Sequence, residues 1–155
     1  MLKIILLKIW RVFPVWIQVL LSRIIRPLFQ VFSVAVIFNA DKKVMLVKST
    51  YQRHHPWGLP GGSLEYGETA EEAVVREIHE ETNLTIEIER FLFVKTWKPD
   101  RVGLYYQCKI VGGEFHPSDE VSELGFFSPN NLPDVRSQDV ELIKRIYEEA
   151  VYELA

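Results

Sequence analysis

Three glutamates, Glu77, Glu80 and Glu81, stand three and four residues apart, so a helix through them brings their carboxylates to one side. Like charges so placed repel and weaken the helix unless something positive offsets them. Arg76 can reach Glu72 and Glu80 across four-residue steps but cannot neutralise the whole cluster. A hard divalent cation can, and an all-oxygen donor set points to Mg²⁺ or Mn²⁺ rather than zinc. Mg²⁺ held by a few carboxylates keeps waters and takes its remaining ligands from substrate phosphates. Just upstream, Gly61-Gly62 lets the backbone come close to a ligand, and the carbonyl of one of these glycines could complete a metal shell. Glu68 lies at the end of that loop, within reach of the same space. The chemistry these residues suit is metal-assisted hydrolysis of a phosphoanhydride in a small nucleotide-like substrate.

A helix must carry the three carboxylates, and its ends are marked. Thr69-Ala70-Glu71-Glu72 matches a capping box, with Thr69 as N-cap and Glu72 three residues on. Ala70 to Thr82 are mostly good helix formers, with Ala73, Val74, Ile78 and Val75 supplying the buried face. Asn83 follows where a left-handed C-cap is wanted. Before the helix, Val31–Phe38 and Lys43–Lys48 are β-rich runs around an Asn39–Lys42 turn, which reads as a hairpin. Residues 49–56 form a polar loop with His54 and His55, and Trp57 to Gly62 is rich in turn residues. After the helix, Leu84–Lys95, Val102–Val111 and Leu124–Phe127 read as strands, with a turn at Trp97–Asp100. Ser137 can cap a last helix whose apolar face is Val140, Ile143, Tyr147, Val151 and Leu154, with Ile146 and Ala150 beside them. Mixed strands with two separated helices indicate a sheet between helices.

The 155 residues suit one core, and 48% hydrophobic with 25% charged residues is globular composition. The net charge of −3 supplies no overall basic field for nucleic acid. The single cysteine, Cys108, excludes a disulfide within the chain and reads as a small core residue. That suits a reducing, cytoplasmic setting. Charge is unevenly spread: residues 1–40 carry Lys3, Lys8, Arg11, Arg23 and Arg26 and no acid, and all 21 acids lie from Asp41 onward. The apolar run there has at most 11 uncharged residues in a row, Val12 to Ser22, too short for a spanning helix of roughly 20. Lys8, Arg11, Gln18, Ser22 and Arg26 make one narrow polar stripe; Pro14 should kink or break the helix and Pro27 should end it. Such a segment suits a peripheral place at a membrane surface, a homodimer interface, or packing on its own domain.

Gly62, five residues, Glu68, seven residues, then Arg76-Glu77-Ile78-His79-Glu80-Glu81-Thr82-Asn83-Leu84 resembles the Nudix box, G-x5-E-x7-R-E-U-x-E-E-x-G-U with U a bulky aliphatic. Six charged or glycine positions match; Asn83 stands in place of the last glycine, a residue that also tolerates the left-handed conformation. Trp57-Gly58-Leu59-Pro60-Gly61 resembles the usual lead-in. The resemblance implies an α+β fold, an α/β/α sandwich with a mixed sheet over residues 30–155, behind an apolar helical extension at 1–29. It also implies a hydrolase that cleaves a nucleoside diphosphate linked to another group, using Mg²⁺ or Mn²⁺. Carried over by position, Glu77, Glu80 and Glu81 would bind metal, with the Gly61 carbonyl joining them. Glu80, Glu81 or a later acid would orient or deprotonate water, and Arg76 would hold the glutamates, with Glu68 nearby. Among later acids Glu120 is the best positional match, six residues before Phe126. Gly62, Glu68 and His55 are candidates for substrate contact, His79 occupies a free position of the box, and Trp97, Tyr105 and Phe38 read as core aromatics that could also stack a base. Pro99 falls near where ADP-ribose pyrophosphatases tend to carry a proline. The substrates this leaves open are a nucleoside triphosphate, a nucleotide sugar or an ADP-ribose-like compound. The alternative is a nucleotide-binding regulatory module on the same scaffold without turnover.

Overall fold

The computed structural model describes residues 10–25, 28–97 and 100–152. Expectations resting on Lys3, Lys8, Arg26, Pro27, Pro99 and Leu154 lie outside those residues. In chain order the elements are α1 (Val15–Ile25), β1 (Gln30–Ile37), β2 (Val44–Ser49), β3 (Trp57–Gly58), β4 (Gly61–Ser63), α2 (Ala70–Thr82), β5 (Leu84–Trp97), β6 (Arg101–Gly113), β7 (Val121–Phe127) and α3 (Ser137–Tyr152).

Two sheets form the middle layer: a mixed four-stranded sheet in the order β4-β1-β6-β5 and a three-stranded sheet in the order β3-β2-β7. β1 runs parallel to β6, from Gln30 opposite Arg101 to Ile37 opposite Cys108, and antiparallel to β4. Both of its edges are thereby occupied. This overturns the expected hairpin: β2 pairs with β3 and β7 instead, and only an isolated bridge from Phe38 to Val44 joins it to the end of β1.

Side chains alternate across the layer, and each face receives one helix. Ala35, Ile37, Met45, Tyr106 and Cys108 pack with Val74 and Ile78 of α2, whereas Val75, expected on the same face, is turned about 100° from Val74 and is exposed. Val36, Val44, Leu46 and Tyr105 pack with Leu142, Ile143 and Ile146 of α3. The result is the expected α/β/α sandwich. Cys108 is buried as expected, and burial pushes its thiol up to about 12.

The ends of α2 are where the sequence places them. Thr69 Oγ1 accepts from the Glu72 N–H at 3.2 Å, and the Thr69 N–H donates to Glu72 Oε2 at 2.8 Å. Asn83 sits at φ 61°, ψ 14°, and its N–H donates to the His79 carbonyl. α3 differs in detail. It begins at Ser137 itself, and the Arg136 carbonyl takes the first helical hydrogen bonds, so Arg136 rather than Ser137 holds the cap position. Leu142, absent from the expected face, is among its most buried residues. β5 alternates only partly because its register against β6 shifts at three places, each shift exchanging the faces of the residues that follow. Pro14 breaks the helical path: residues 10–12 form one turn, and α1 restarts with the Pro14 carbonyl accepting from the Ile17 and Gln18 N–H groups.

Candidate active site

α2 lies across the four-stranded sheet against β5, β1 and β4, and its contact with β1 and β4 sets the site. Ser33, fully buried on β1, donates its hydroxyl to the Ala70 carbonyl at 2.7 Å and fixes the start of the helix on the sheet. The two glycines of β4 are needed for space. A Cβ on Gly61, whose φ is +142°, would stand 2.2 Å from the Ser33 carbonyl oxygen. A Cβ on Gly62 would stand 2.2 Å from the carboxyl carbon of Glu77. The sequence suggests that these glycines admit a ligand; the structure shows them admitting β1 and the Glu77 side chain.

Arg76 is the hub of the carboxylates. Its Nε donates to Glu68 Oε2 at 3.1 Å, and its Nη2 donates to Glu68 Oε1 at 2.8 Å and to the Ser63 carbonyl at 3.1 Å. Its Nη1 faces Glu77 at 3.1 Å and Glu80 at 3.0 Å. The expected reach to Glu80 is present. The expected reach to Glu72 is not, because Glu72 is spent on the capping box. Arg76 holds the Glu68 carboxyl below its ordinary value, aided by the Glu65 N–H, and the Arg76 guanidinium is itself pushed up, chiefly by Glu68.

The three glutamates of α2 are not equivalent. Glu77 is inward, with 18% of its side chain exposed against 60% for Glu80. Burial pushes the Glu77 carboxyl up; Arg76 opposes that, and the charges of Glu80 and Glu120 add to it. Glu81 lies deeper still. Burial pushes its carboxyl up to about 8, the Gly61 N–H donates to its Oε2 at 3.2 Å and opposes the shift, and Glu77 and Glu120 reinforce it. Glu120, exposed on the segment before β7, is thus brought to the same cluster from another part of the chain. Two sets of bonds hold its segment in place. Thr50 donates its N–H to the Glu120 carbonyl and its hydroxyl to the Asp119 carbonyl. At the other end, Asn83 Nδ2 donates to the Glu114 carbonyl at 3.2 Å, and the His116 N–H donates to the Thr82 carbonyl.

Gly61, Glu81 and Glu120 line an open cleft together with Trp57, Tyr105, Arg136 and Asp139. A second hollow shares Val34, Tyr105, Arg136 and Asp139 and continues to Trp97, Arg101 and Phe32. Of these lining residues Tyr51, Gln52, Arg136 and Asp139 carry no sequence signal of their own; they meet only because the loop after β2 and the start of α3 fold over the same opening. Arg136 Nη2 donates to Gln52 Oε1 at 2.8 Å across it. The buried hydroxyl of Ser49, which also lines the cleft, has no hydrogen-bond partner among the described residues.

Other candidates fall elsewhere. His55 does not line the cleft; its backbone is at φ +50°, and its Nδ1 sits 2.6 Å from Asp134 Oδ1, which ties the loop to the start of α3. His79 is exposed on the outer side of α2, beside the groove toward β5. Tyr105 stacks on Phe93 in the core and Phe38 tilts against Tyr147, so neither is free to stack a base, whereas Trp97 reaches the second hollow.

The donor chemistry fits a hard divalent cation. All donors are carboxylate oxygens, burial first and then their mutual repulsion raise Glu77 and Glu81, and Arg76 compensates Glu68, Glu77 and Glu80 while leaving Glu81 to a single N–H. Among the described residues, no group of three or more histidine, cysteine or acidic side chains is already placed to hold a metal ion.

Comparison with known proteins gives a consistent set of relatives. A family model for the NUDIX domain matches residues 28–149. An ADP-ribose pyrophosphatase of Methanocaldococcus jannaschii is 37% identical over 118 residues, covering 70% of this chain and 68% of that protein. Among solved structures, an ADP-ribose pyrophosphatase from Streptococcus suis superposes with a TM-score of 0.67 at 28% identity, covering 78% of this chain and 91% of that one. A NUDIX hydrolase from Nitrosomonas europaea superposes with a TM-score of 0.72 at 25% identity, covering 82% and 74%.

Proposed function

The chain belongs to the Nudix family, whose relatives here hydrolyse pyrophosphate bonds, and from that premise we propose that it cleaves the diphosphate linkage of a nucleoside diphosphate derivative, ADP-ribose first among them. The observation that carries this reading is the electrostatic coupling of Glu81 to Glu77 and Glu120, with Gly61, Glu81 and Glu120 lining an open cleft that also holds Arg136.

Glu77, Glu80 and Glu81 would hold Mg²⁺ or Mn²⁺, which when bound makes water a better nucleophile and offsets charge on phosphate oxygens. The chain's own residues do the rest. Arg76 fixes the glutamates and ties the loop to the helix, so positioning is paid for in the fold. Glu81 accepts the Gly61 N–H on Oε2, which leaves Oε1 to take a proton from the attacking water. Water oxygen bonds to phosphorus, the bridging P–O bond breaks, and the leaving phosphate departs with that electron pair. Glu120 adds a second acid to the cluster. Arg136 and Arg101 offer cationic side chains along the remainder of the substrate, and Trp97 an aromatic face.

The test is a substrate panel of ADP-ribose, nucleotide sugars and nucleoside triphosphates with Mg²⁺ or Mn²⁺, run with the wild type and Glu81→Gln. Release of AMP and ribose 5-phosphate is expected from ADP-ribose, falling by about 10²–10⁴ in the variant, as for loss of a general base. Equal rates in both proteins would remove Glu81 from the mechanism. Tight nucleotide binding without turnover under any metal would replace the hydrolase with a binding module.

A further inference from the structure

In a soluble amphipathic helix the apolar stripe turns inward. The segment ahead of β1 does the reverse. Val15, Trp16, Val19 and Leu20 recur at spacings of three and four residues along α1, so they share one face, and all four are exposed, Val15 at 74% and Trp16 at 68%; Val12, in the turn ahead of Pro14, is exposed at 84%. Leu28 and Phe29, just before β1, are exposed as well. The polar residues of the helix are directed elsewhere. Gln18 and Ser22 are half-buried and bond within the segment, Gln18 Nε2 donating to the Phe13 and Trp10 carbonyls and Ser22 Oγ to the Val19 carbonyl. Packing of this face on the chain's own domain is therefore not what the structure shows.

We propose that this face is a docking surface for an anionic lipid bilayer, with α1 lying in the plane of the interface. α1 is too short to span: its 11 residues reach about 16 Å along a helix axis, against a hydrocarbon core of about 30 Å. No helix among the described residues is long and apolar enough to cross. Charge selects the partner. Residues 1–29 carry five basic side chains and no acidic one, whereas all 21 acids lie from Asp41 onward. A second copy docked face to face would set five positive charges against five. An anionic lipid surface meets the same segment with opposite charge and receives its aromatic and aliphatic side chains below the headgroups. Trp16 and Phe13, together with flanking Lys and Arg, are the residue types that favour that boundary. The hydrolase domain would then work at the membrane, on a substrate drawn from solution or from lipid-linked material.

The experiment is flotation of the full chain with vesicles of phosphatidylcholine and phosphatidylglycerol, and with phosphatidylcholine alone, at low and high salt. Binding is expected to the anionic vesicles, weakened by salt and by omission of phosphatidylglycerol. Trp16→Glu with Leu20→Glu should lower the bound fraction at least about tenfold, with unchanged thermal unfolding and unchanged hydrolysis of a soluble substrate. Arg11→Glu with Arg23→Glu, which leaves the apolar face intact, should weaken only the salt-sensitive part. The proposal falls if the full chain does not float with anionic vesicles, or if the first variant floats as well as the wild type. It also falls if light scattering finds a dimer that this variant dissolves while neither protein binds lipid, which would assign the face to a second copy. The flotation, unfolding and scattering outcomes do not depend on the hydrolase reading.

Discussion

Burial and the charges of Glu77 and Glu120 push the Glu81 carboxyl up to about 8, so the metal-free protein holds a proton there at neutral pH. In the unfolded chain the same group titrates near 4.5. A value raised on folding means that the folded state binds the extra proton between these limits, and the stability this group contributes falls as pH rises from about 4.5 toward 8. Glu81→Gln cannot ionise and escapes this loss. The metal-free variant is therefore expected to be more stable than the wild type at pH 8, by up to about 4 kcal/mol, and close to it at low pH. Denaturant melts of both proteins in chelator at several pH values check this. A wild type with no such pH dependence relative to the variant would show that Glu81 is already ionised without cation. At this scale the sequence is most informative where a helix repeats. Glu77, Glu80 and Glu81 can be placed on one side from spacing alone, because 3.6 residues per turn dictates it. Ser49, Gln52 and Arg136 cannot, because their meeting depends on loops whose paths follow from packing between distant segments.

Asn83 shows how much an element's end can carry. At φ 61° a glycine would be unstrained, and Asn is the tolerated second choice. Its side chain repays the choice by donating to Glu114 at the base of the segment that carries Glu120. Two substitutions separate these roles. Asn83→Ala should cost about 1–2 kcal/mol for a β-carbon in the left-handed region without a compensating polar group. Asn83→Gly should keep most of the stability, yet lower kcat several-fold by loosening the Glu120 segment. Thermal melts and steady-state rates on the same preparations decide it, and a glycine variant with full kcat would sink the positioning role. The caps of α2 are readable in sequence because each is a local code of four or five residues. The pairing partner of β2 is not, since a turn at Asn39–Lys42 suits a hairpin equally well, and only the capture of both β1 edges by β4 and β6 decides against it.

Across the molecule, two apolar clusters lie on opposite faces of the same strands: Ala35 and Ile37 contribute to one, Val36 to the other. Neither face can lose its helix without exposing strands that the other also needs. Ile78→Ala and Ile143→Ala, one in each cluster and both about fully buried, should each cost about 2–5 kcal/mol. Each should also leave a single unfolding transition. Calorimetry that resolved two transitions in either variant would show that the faces fold independently. The layer order could be anticipated from two helices separated by strands, whereas the split into two sheets could not, since the strand lengths and alternation are compatible with one.

Arg76 grips both the Ser63 carbonyl and the Glu68 carboxylate, so the residues between them form a hoop whose two ends are fastened to one guanidinium. The glycine at 67, held at φ +95°, makes its corner. The number of residues between Gly62 and Glu68 is then a circumference. One residue more would bulge out of the ring and one fewer would pull Glu68 off its fastening, although neither change touches a carboxylate of the cluster. The fixed spacing of the motif measures the size of a loop that one side chain can close.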